Sequence, residues 1–99
     1  NFKIILINNN GGNIFKIIPG PGNLDEVHKY FETDNKYDAQ HLCKLHDVDY
    51  FSAENEEQLQ SELKLFFAKN EKANLIEIKT SGDISADILK EYFKQIASL

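Results

Sequence analysis

Hydrophobic and polar residues are arranged along this chain in blocks whose spacing predicts strands and helices. The first block is a continuous apolar run over residues 4–7, which is typical of a strand buried on both faces of a sheet. Ile14, Ile17 and Ile18 follow at helical spacing and predict about one turn of helix. The Pro- and Gly-rich residues 19–23 then interrupt the pattern.

The chain continues as a polar loop over residues 24–36, followed by alternating helices and strands. In order, these are a helix capped by Asp38 and carrying Ala39, Leu42, Cys43 and Leu45, a strand over 48–51, a helix over 56–69, a strand over 74–80, and a final helix after Ser81-Gly82-Asp83. Apolar stripes mark the last two helices: Leu59, Leu63, Phe66 and Phe67 in one, and Ile84, Ile88, Leu89, Tyr92 and Ile96 in the other. This alternation predicts a three-layer α/β fold, with a parallel sheet covered by helices on both faces.

A hairpin is the alternative for the start of the chain. Asn10-Gly11 is a strong signal for a type I′ turn, and both of its flanks, residues 2–7 and 14–18, are apolar. The first flank is continuous rather than alternating, and the second fits a helical period better than a period of two. The pattern therefore favours a strand followed by a helix.

Composition limits the class of protein. The 99 residues suffice for at most one domain, and 41% hydrophobic content is ordinary for a globular chain. A formal charge of −5 argues against nucleic acid and anionic membrane surfaces as partners, and no apolar run is long enough to predict a membrane span. The single cysteine, Cys43, fits a reducing cytoplasm. The chain begins at Asn1, just before a strand, which suggests a piece of a larger protein.

The turn Asn8-Asn9-Asn10-Gly11-Gly12 directly follows the first predicted strand. Ligands commonly bind where a buried strand of an open α/β sheet ends in such a turn. Amide and carbonyl oxygens suit Mg²⁺ or Ca²⁺, and a Gly pair lets the backbone approach a phosphate closely. The chemistry of these residue types therefore suggests a metal–diphosphate site, whereas composition alone favours a plain loop. Neither a Gly-Lys-Ser/Thr nor a GxGxxG motif occurs in the sequence.

The stretch Ile5–Pro19, read as Ile-Leu-Ile-Asn-Asn-Asn-Gly-Gly-Asn-Ile-Phe-Lys-Ile-Ile-Pro, carries a specific resemblance. It resembles the second half of the thiamine diphosphate (ThDP) motif in the MenD family of menaquinone-pathway synthases. Tyr37-Asp38-Ala39, the Leu-Ile-Glu-Ile of residues 75–78 and the terminal Ala97-Ser98-Leu99 are also similar to the C-terminal end of that family. The resemblance implies that residues 1–99 are one partial domain, the C-terminal part of a ThDP pyrophosphate-binding domain.

The resemblance also implies roles for individual residues. Asn9 would supply a side-chain oxygen, and Gly11 a backbone carbonyl, to Mg²⁺ or Mn²⁺ bridging to the cofactor's diphosphate. Gly12 and Asn13 would lie beside the diphosphate or the thiazolium. Ile14 and Phe15 would line both the cofactor site and the substrate pocket, and Ile18 would line the substrate pocket, although core packing explains the two isoleucines as well. A dry apolar wall favours the low-polarity states that ThDP chemistry needs.

The resemblance implies a ThDP-dependent transferase that decarboxylates 2-oxoglutarate and adds the succinyl unit to isochorismate. In that family, the metal-binding Asp lies upstream in the chain and the activating Glu comes from a neighbouring subunit. We therefore expect this chain to need the rest of its own polypeptide and a second subunit, and to be inactive alone. Exposed sheet edges and apolar surface predict that it self-associates. Two alternatives stay open: another ThDP-dependent decarboxylase or synthase, or a non-catalytic α/β assembly module.

Other polar residues favour structural explanations. His41 and His46, five positions apart on a predicted helix, cannot easily share a metal. His28 falls in the polar loop, where solvation explains it best. Cys43 lies on an apolar stripe and is expected to be buried. Glu77 interrupts an aliphatic strand and predicts a buried pair or an edge contact.

Overall fold

The computed structural model describes residues 2–20, 23–26, 29–30 and 36–99. Its helices and strands, in chain order, are β1 (Lys3–Asn8), α1 (Ile14–Ile17), α2 (Gln40–Leu45), β2 (Asp49–Ala53), α3 (Glu56–Phe66), β3 (Asn74–Lys79) and α4 (Gly82–Ala97). They fall into two compact units: Asn1–Asn8 with Tyr37–Lys79, and Asn9–Lys36 with Thr80–Leu99. The first unit holds the sheet with α2 and α3, and the second holds α1 and α4.

The sheet of the first unit is parallel, with β3 between β1 and β2. In the register, Ile76 of β3 lies between Ile5 of β1 and Phe51 of β2, so these three side chains share a face. Parallel strands need long crossover connections, and the helices that the alternating pattern predicts between the strands lie in these connections. The predicted parallel α/β fold is confirmed.

Helices cover both faces of this sheet. On one face, Leu75 packs with Ala39 and Cys43, which come from the start of α2 and from its interior. On the other face, the ring of Phe66 from α3 meets Phe51 edge-on, with centroids 6.3 Å apart. Because Leu75 and Ile76 are consecutive strand residues, their side chains point to opposite faces. The first unit is therefore a three-layer α/β/α arrangement.

The predicted burial of β1 on both faces is wrong. Ile5 and Ile7 are 55% and 65% exposed, because β1 lies at the edge of the sheet in the described part of the chain and pairs with β3 alone. The prediction of a helix rather than a hairpin for residues after the turn is confirmed, since Ile14–Ile17 is helical and β1 pairs in parallel with β3.

The predicted cap of α2 needs correction. Ala39, which has no side-chain acceptor, occupies the N-cap position, and Asp38 lies one residue earlier. Its Oδ1 accepts a hydrogen bond from the Gln40 N–H at 3.1 Å. Only part of the predicted apolar face is buried: Cys43 is, whereas Leu42 and Leu45 are exposed. A helix of six residues is too short to bury a full stripe against the sheet.

The two longer helices also differ in detail from expectation. Helix α3 ends at Phe66 rather than at residue 69, so Phe66 is buried while Phe67, just beyond the helix, is exposed. Asn55 caps its start by accepting the Gln58 N–H at 2.9 Å. In α4, most of the predicted apolar side is exposed, namely Ile84, Ile88, Tyr92 and Ile96. No helix within the described residues has the length and apolarity that a membrane crossing requires.

Candidate functional site

The last residue of β1, Asn8, is held by two hydrogen bonds within the first unit. Its Nδ2 donates to the Tyr37 carbonyl oxygen at 3.1 Å and to Glu77 Oε2 at 2.6 Å. Glu77 itself has no exposed surface, and its Oε1 accepts from the Ala39 N–H at 2.8 Å and from the Tyr50 hydroxyl at 2.9 Å. The buried pair predicted for Glu77 is thus a network of three donors, and Asn8 belongs to it.

This network changes the chemistry of the Tyr50 phenol. Burial raises the pKa of Tyr50, and the hydrogen bond to Glu77 raises that pKa further, because both disfavour a phenolate beside a carboxylate. The raised pKa is consistent with the hydrogen bond in which the Tyr50 hydroxyl donates its proton to Glu77. The only sign of this network in the sequence is a carboxylate inside an aliphatic strand.

The next three residues form a tight turn in the second unit. Asn10 adopts a left-handed backbone conformation with φ of 61°, which Asn tolerates better than most residues. The Gly11 N–H donates to Asn9 Oδ1 at 3.1 Å, an Asx turn across Asn10. The turn thus joins Asn9 and Gly11, the two residues predicted to bind the metal, through the Gly11 N–H, whereas the predicted ligand atom of Gly11 is its carbonyl oxygen.

The donor set of this turn fits a hard divalent cation. An amide oxygen has two lone pairs, so the bond from Gly11 leaves Asn9 Oδ1 a second acceptor position. Amide and backbone oxygens are ligands that Mg²⁺ and Ca²⁺ accept. Two such ligands form only part of a coordination shell, and their assignment stays a prediction.

Beyond the turn, Gly12 faces open space and Asn13 begins a helix. A Cβ built on Gly12 would meet no atom of the described residues within 4 Å, which leaves room for a group to approach the backbone. Asn13 is the N-cap of α1, and its carbonyl accepts the Lys16 N–H at 3.0 Å. Because α1 has only four residues, its start offers little helix dipole.

The apolar residues after the turn lie in different surroundings. Ile14 and Ile18 are exposed, whereas Phe15 is half-buried. Ile18 lies in an open groove, lined also by Ile17, Pro19, Lys90, Phe93, Lys94 and Ala97. Ile14 and Phe15 are not among the described residues that line this groove, so a shared pocket for Ile14, Phe15 and Ile18 stays a prediction.

Within the part of the chain that the structure describes, the remaining titratable candidates form no assembled centre. In residues 2–20, 23–26, 29–30 and 36–99, no group of three or more His, Cys, Asp or Glu side chains could hold a metal. His41 and His46 are exposed, and His28 lies outside the described residues. Cys43 is buried as expected, and burial followed by the charge of Glu77 raises the pKa of its thiol. One contact that sequence reasoning missed is the close approach of Asn13 to Gly82.

Comparison with known proteins gives a consistent result. The chain is 43% identical over 98 residues to the 2-succinyl-5-enolpyruvyl-6-hydroxy-3-cyclohexene-1-carboxylate synthase of Christiangramia forsetii. The synthases of the same name from Flavobacterium johnsoniae and Porphyromonas gingivalis are 42% and 35% identical over 96 and 95 residues. These matches cover 96–99% of this chain but only 16–17% of each relative. No protein-family model matches the chain.

Proposed function

We propose, since this chain belongs to the 2-succinyl-5-enolpyruvyl-6-hydroxy-3-cyclohexene-1-carboxylate synthase family, that it carries half of a metal–diphosphate site in a larger ThDP-dependent enzyme. Residues 1–99 would form the C-terminal part of the pyrophosphate-binding domain. Because the chain spans about 17% of the length of its relatives, the parent's activity, substrates and partners are part of this proposal.

The observation that carries the proposal is the Asx turn from Asn9 to Gly11. It places an amide oxygen and a short stretch of backbone side by side, as a partial ligand set for Mg²⁺ or Mn²⁺. In the proposal, Asn9 Oδ1 and the Gly11 carbonyl hold the metal. Gly12 and Asn13 flank the diphosphate, and the open space beside Gly12 supports that placement.

The proposed reaction belongs to menaquinone biosynthesis, in which the parent enzyme decarboxylates 2-oxoglutarate and adds the succinyl unit to isochorismate. ThDP, when bound, supplies a thiazolium ring that takes up the electrons released by decarboxylation. The residues of this chain bind and orient rather than transfer protons, and we assign none of them as catalytic. Ile14, Phe15 and Ile18 exclude water from the cofactor and the substrate pocket.

In this proposal, the rest of the enzyme supplies the site residues that this chain lacks. The remaining metal ligand and the activating glutamate come from elsewhere in the parent's own chain and from a second subunit. The exposed apolar residues of β1 and α4, among them Ile5, Ile7, Ile84 and Ile88, support burial against such partners. The isolated chain would therefore self-associate and be inactive.

Replacing Asn9 in the full-length synthase tests the metal site. We expect Asn9→Ala to raise the Mg²⁺ concentration needed for half-maximal turnover by at least about 100-fold, because even outer-shell partners of a metal contribute 10–100-fold. Asn10→Gly is the matched control, since glycine keeps the left-handed backbone and Asn10 is not among the proposed metal ligands. Turnover is measured against Mg²⁺ at saturating ThDP.

Two outcomes would contradict this proposal. An Asn9→Ala enzyme with the Mg²⁺ dependence of the natural protein would remove Asn9 from the metal site. Calorimetric titration of the 99-residue chain with ThDP and Mg²⁺ is expected to give no binding in the micromolar range. Micromolar binding would mean that this chain holds more of the site than we propose.

A further inference from the structure

Gly82 occupies the first position of α4, where helix geometry gives no reason for a glycine. Ser81 precedes it as the N-cap, with its side chain accepting the Ile84 N–H. The φ of Gly82 lies outside the left-handed region, so its backbone does not require a residue without a Cβ. Since alanine is the better helix former at ordinary φ, something other than backbone conformation favours glycine here.

The atoms that surround Gly82 explain why a glycine is favoured there. A Cβ at this position would collide with Oδ1 of Asn13 and would lie 3.3 Å from Asn13 Cγ. It would also lie 3.1 Å from Nζ of Lys16. Lysine can withdraw the end of its long side chain, whereas the short Asn13 side chain carries its amide along with it. Any side chain at residue 82 therefore moves the Asn13 amide.

An ion pair also joins α1 to the first turn of α4. Lys16 Nζ lies 2.8 Å from Oδ1 of Asp83, the residue after Gly82. The Lys16 side chain is only 14% exposed, so this pair is partly shielded from water although Asp83 is exposed. The first turn of α4 thus contacts both Asn13, at the start of α1, and Lys16, within it.

We infer that Gly82 is a positioning residue for Asn13: its missing side chain lets the Asn13 amide lie against the first turn of α4. This inference rests on the proposed function, which places Asn13 beside the diphosphate of ThDP. Gly82 itself touches neither metal nor cofactor. It acts through Asn13, and the Lys16–Asp83 pair keeps α1 against the same turn.

Gly82→Ala in the full-length synthase tests the inference. We expect calorimetry to show ThDP–Mg²⁺ binding to the apoenzyme weakened by about tenfold, the lower end of the range for groups that orient a metal site. The unfolding midpoint should stay the same or rise, because alanine is the better helix former. Asp87→Ala, at an exposed position of the same helix, is the control and should leave the affinity unchanged.

A double variant separates the Asn13 contact from a general defect. Without the Asn13 side chain, a Cβ at residue 82 has no amide to displace, so Gly82→Ala should cost no further affinity in an Asn13→Ala background. The same background should restore folding if Gly82→Ala alone fails to fold. An additive loss in the double variant would overturn the inference.

The comparison with Asn9→Ala keeps the two proposals distinguishable. If Asn9→Ala weakens ThDP–Mg²⁺ binding while Gly82→Ala binds as tightly as the natural protein, the positioning role is overturned and the metal site stands. If neither variant changes the affinity, the proposed metal site is itself overturned, and the role of Gly82 is overturned with it.

Discussion

Strands β1 and β3 pair with each other and have six residues each. They differ in how well the polarity of their residues predicts their burial. β1 contains four consecutive aliphatic residues, of which Ile5, Leu6 and Ile7 are exposed. β3 contains an asparagine and a glutamate, and its first four residues are buried. The more polar strand is the more buried one.

The difference teaches that position in the sheet, rather than apolarity, decides which strand is buried. β3 has a neighbour on each side and a helix on each face, so even Glu77 lies out of contact with water. The cost of burying this carboxylate is offset by three hydrogen bonds, from Ala39, Tyr50 and Asn8. An edge strand can contain four consecutive aliphatic residues, as β1 does, and still remain exposed.

The largest expected effect comes from truncating the same residue type in both strands. Ile76 of β3 and Ile5 of β1 are register partners, with 0% and 55% exposure. We expect Ile76→Ala to lower the free energy of unfolding by about 4 kcal/mol, through lost burial and a cavity beside its register partner Phe51. Ile5→Ala should cost about 1 kcal/mol or less, as is usual at exposed positions. Urea titrations of the 99-residue chain, followed by circular dichroism, measure both losses. Equal losses in the two variants would contradict the comparison.

Removing the charge at the centre of β3 should have the next largest effect. Glu77→Ala removes the carboxylate that accepts from the Ala39 N–H, the Tyr50 hydroxyl and the Asn8 amide, and we expect a loss of about 3 kcal/mol although Asn8 still donates to the Tyr37 carbonyl. Leu6→Ala, at the register partner in β1, is the control and should cost about 1 kcal/mol. The same urea titrations compare the two variants. A Glu77→Ala protein as stable as the Leu6→Ala protein would mean that the network adds nothing.

The fold is predictable from the sequence because local patterns decide most of it. Strands alternating with helices give a parallel sheet whatever the exact bounds, and the spacing of residues 14–18 is enough to prefer a helix over a hairpin. Strand order and helix length are not local properties. The edge position of β1 depends on where β3 inserts, and the exposure of Leu42 and Leu45 follows from the shortness of α2.

The candidate site likewise contains one contact that is local in sequence and others that depend on the fold. Asn9 and Gly11 are two positions apart in the chain, so one sequence motif contains both, and the turn brings them together. The approach of Gly82 to Asn13 joins residues 69 positions apart, and no pattern in one sequence reports such a contact. Likewise, Glu77 is recognisable as an unusual strand residue, but its hydrogen bond to Asn8 depends on the parallel pairing of β1 with β3.

The smallest expected effect concerns Cys43, which packs on Leu75 of β3. Burial, and then the charge of Glu77, raises the pKa of the Cys43 thiol above its ordinary value of 9.0. A thiol with a raised pKa in the folded state holds its proton more tightly there than in the unfolded chain. Its contribution to stability is therefore complete below about pH 9 and is lost as the pH rises through the folded pKa.

Cys43 should accordingly react slowly and impose a pH dependence on stability. We expect iodoacetamide at pH 8 to alkylate the native protein at least about tenfold more slowly than the urea-unfolded protein. Between pH 9 and 10, stability should fall more steeply in the natural protein than in Cys43→Ala, since only the natural protein carries the thiol whose pKa is raised by folding. Equal slopes for the two proteins, or equal alkylation rates for the native and unfolded states, would show that packing against β3 does not protect this thiol.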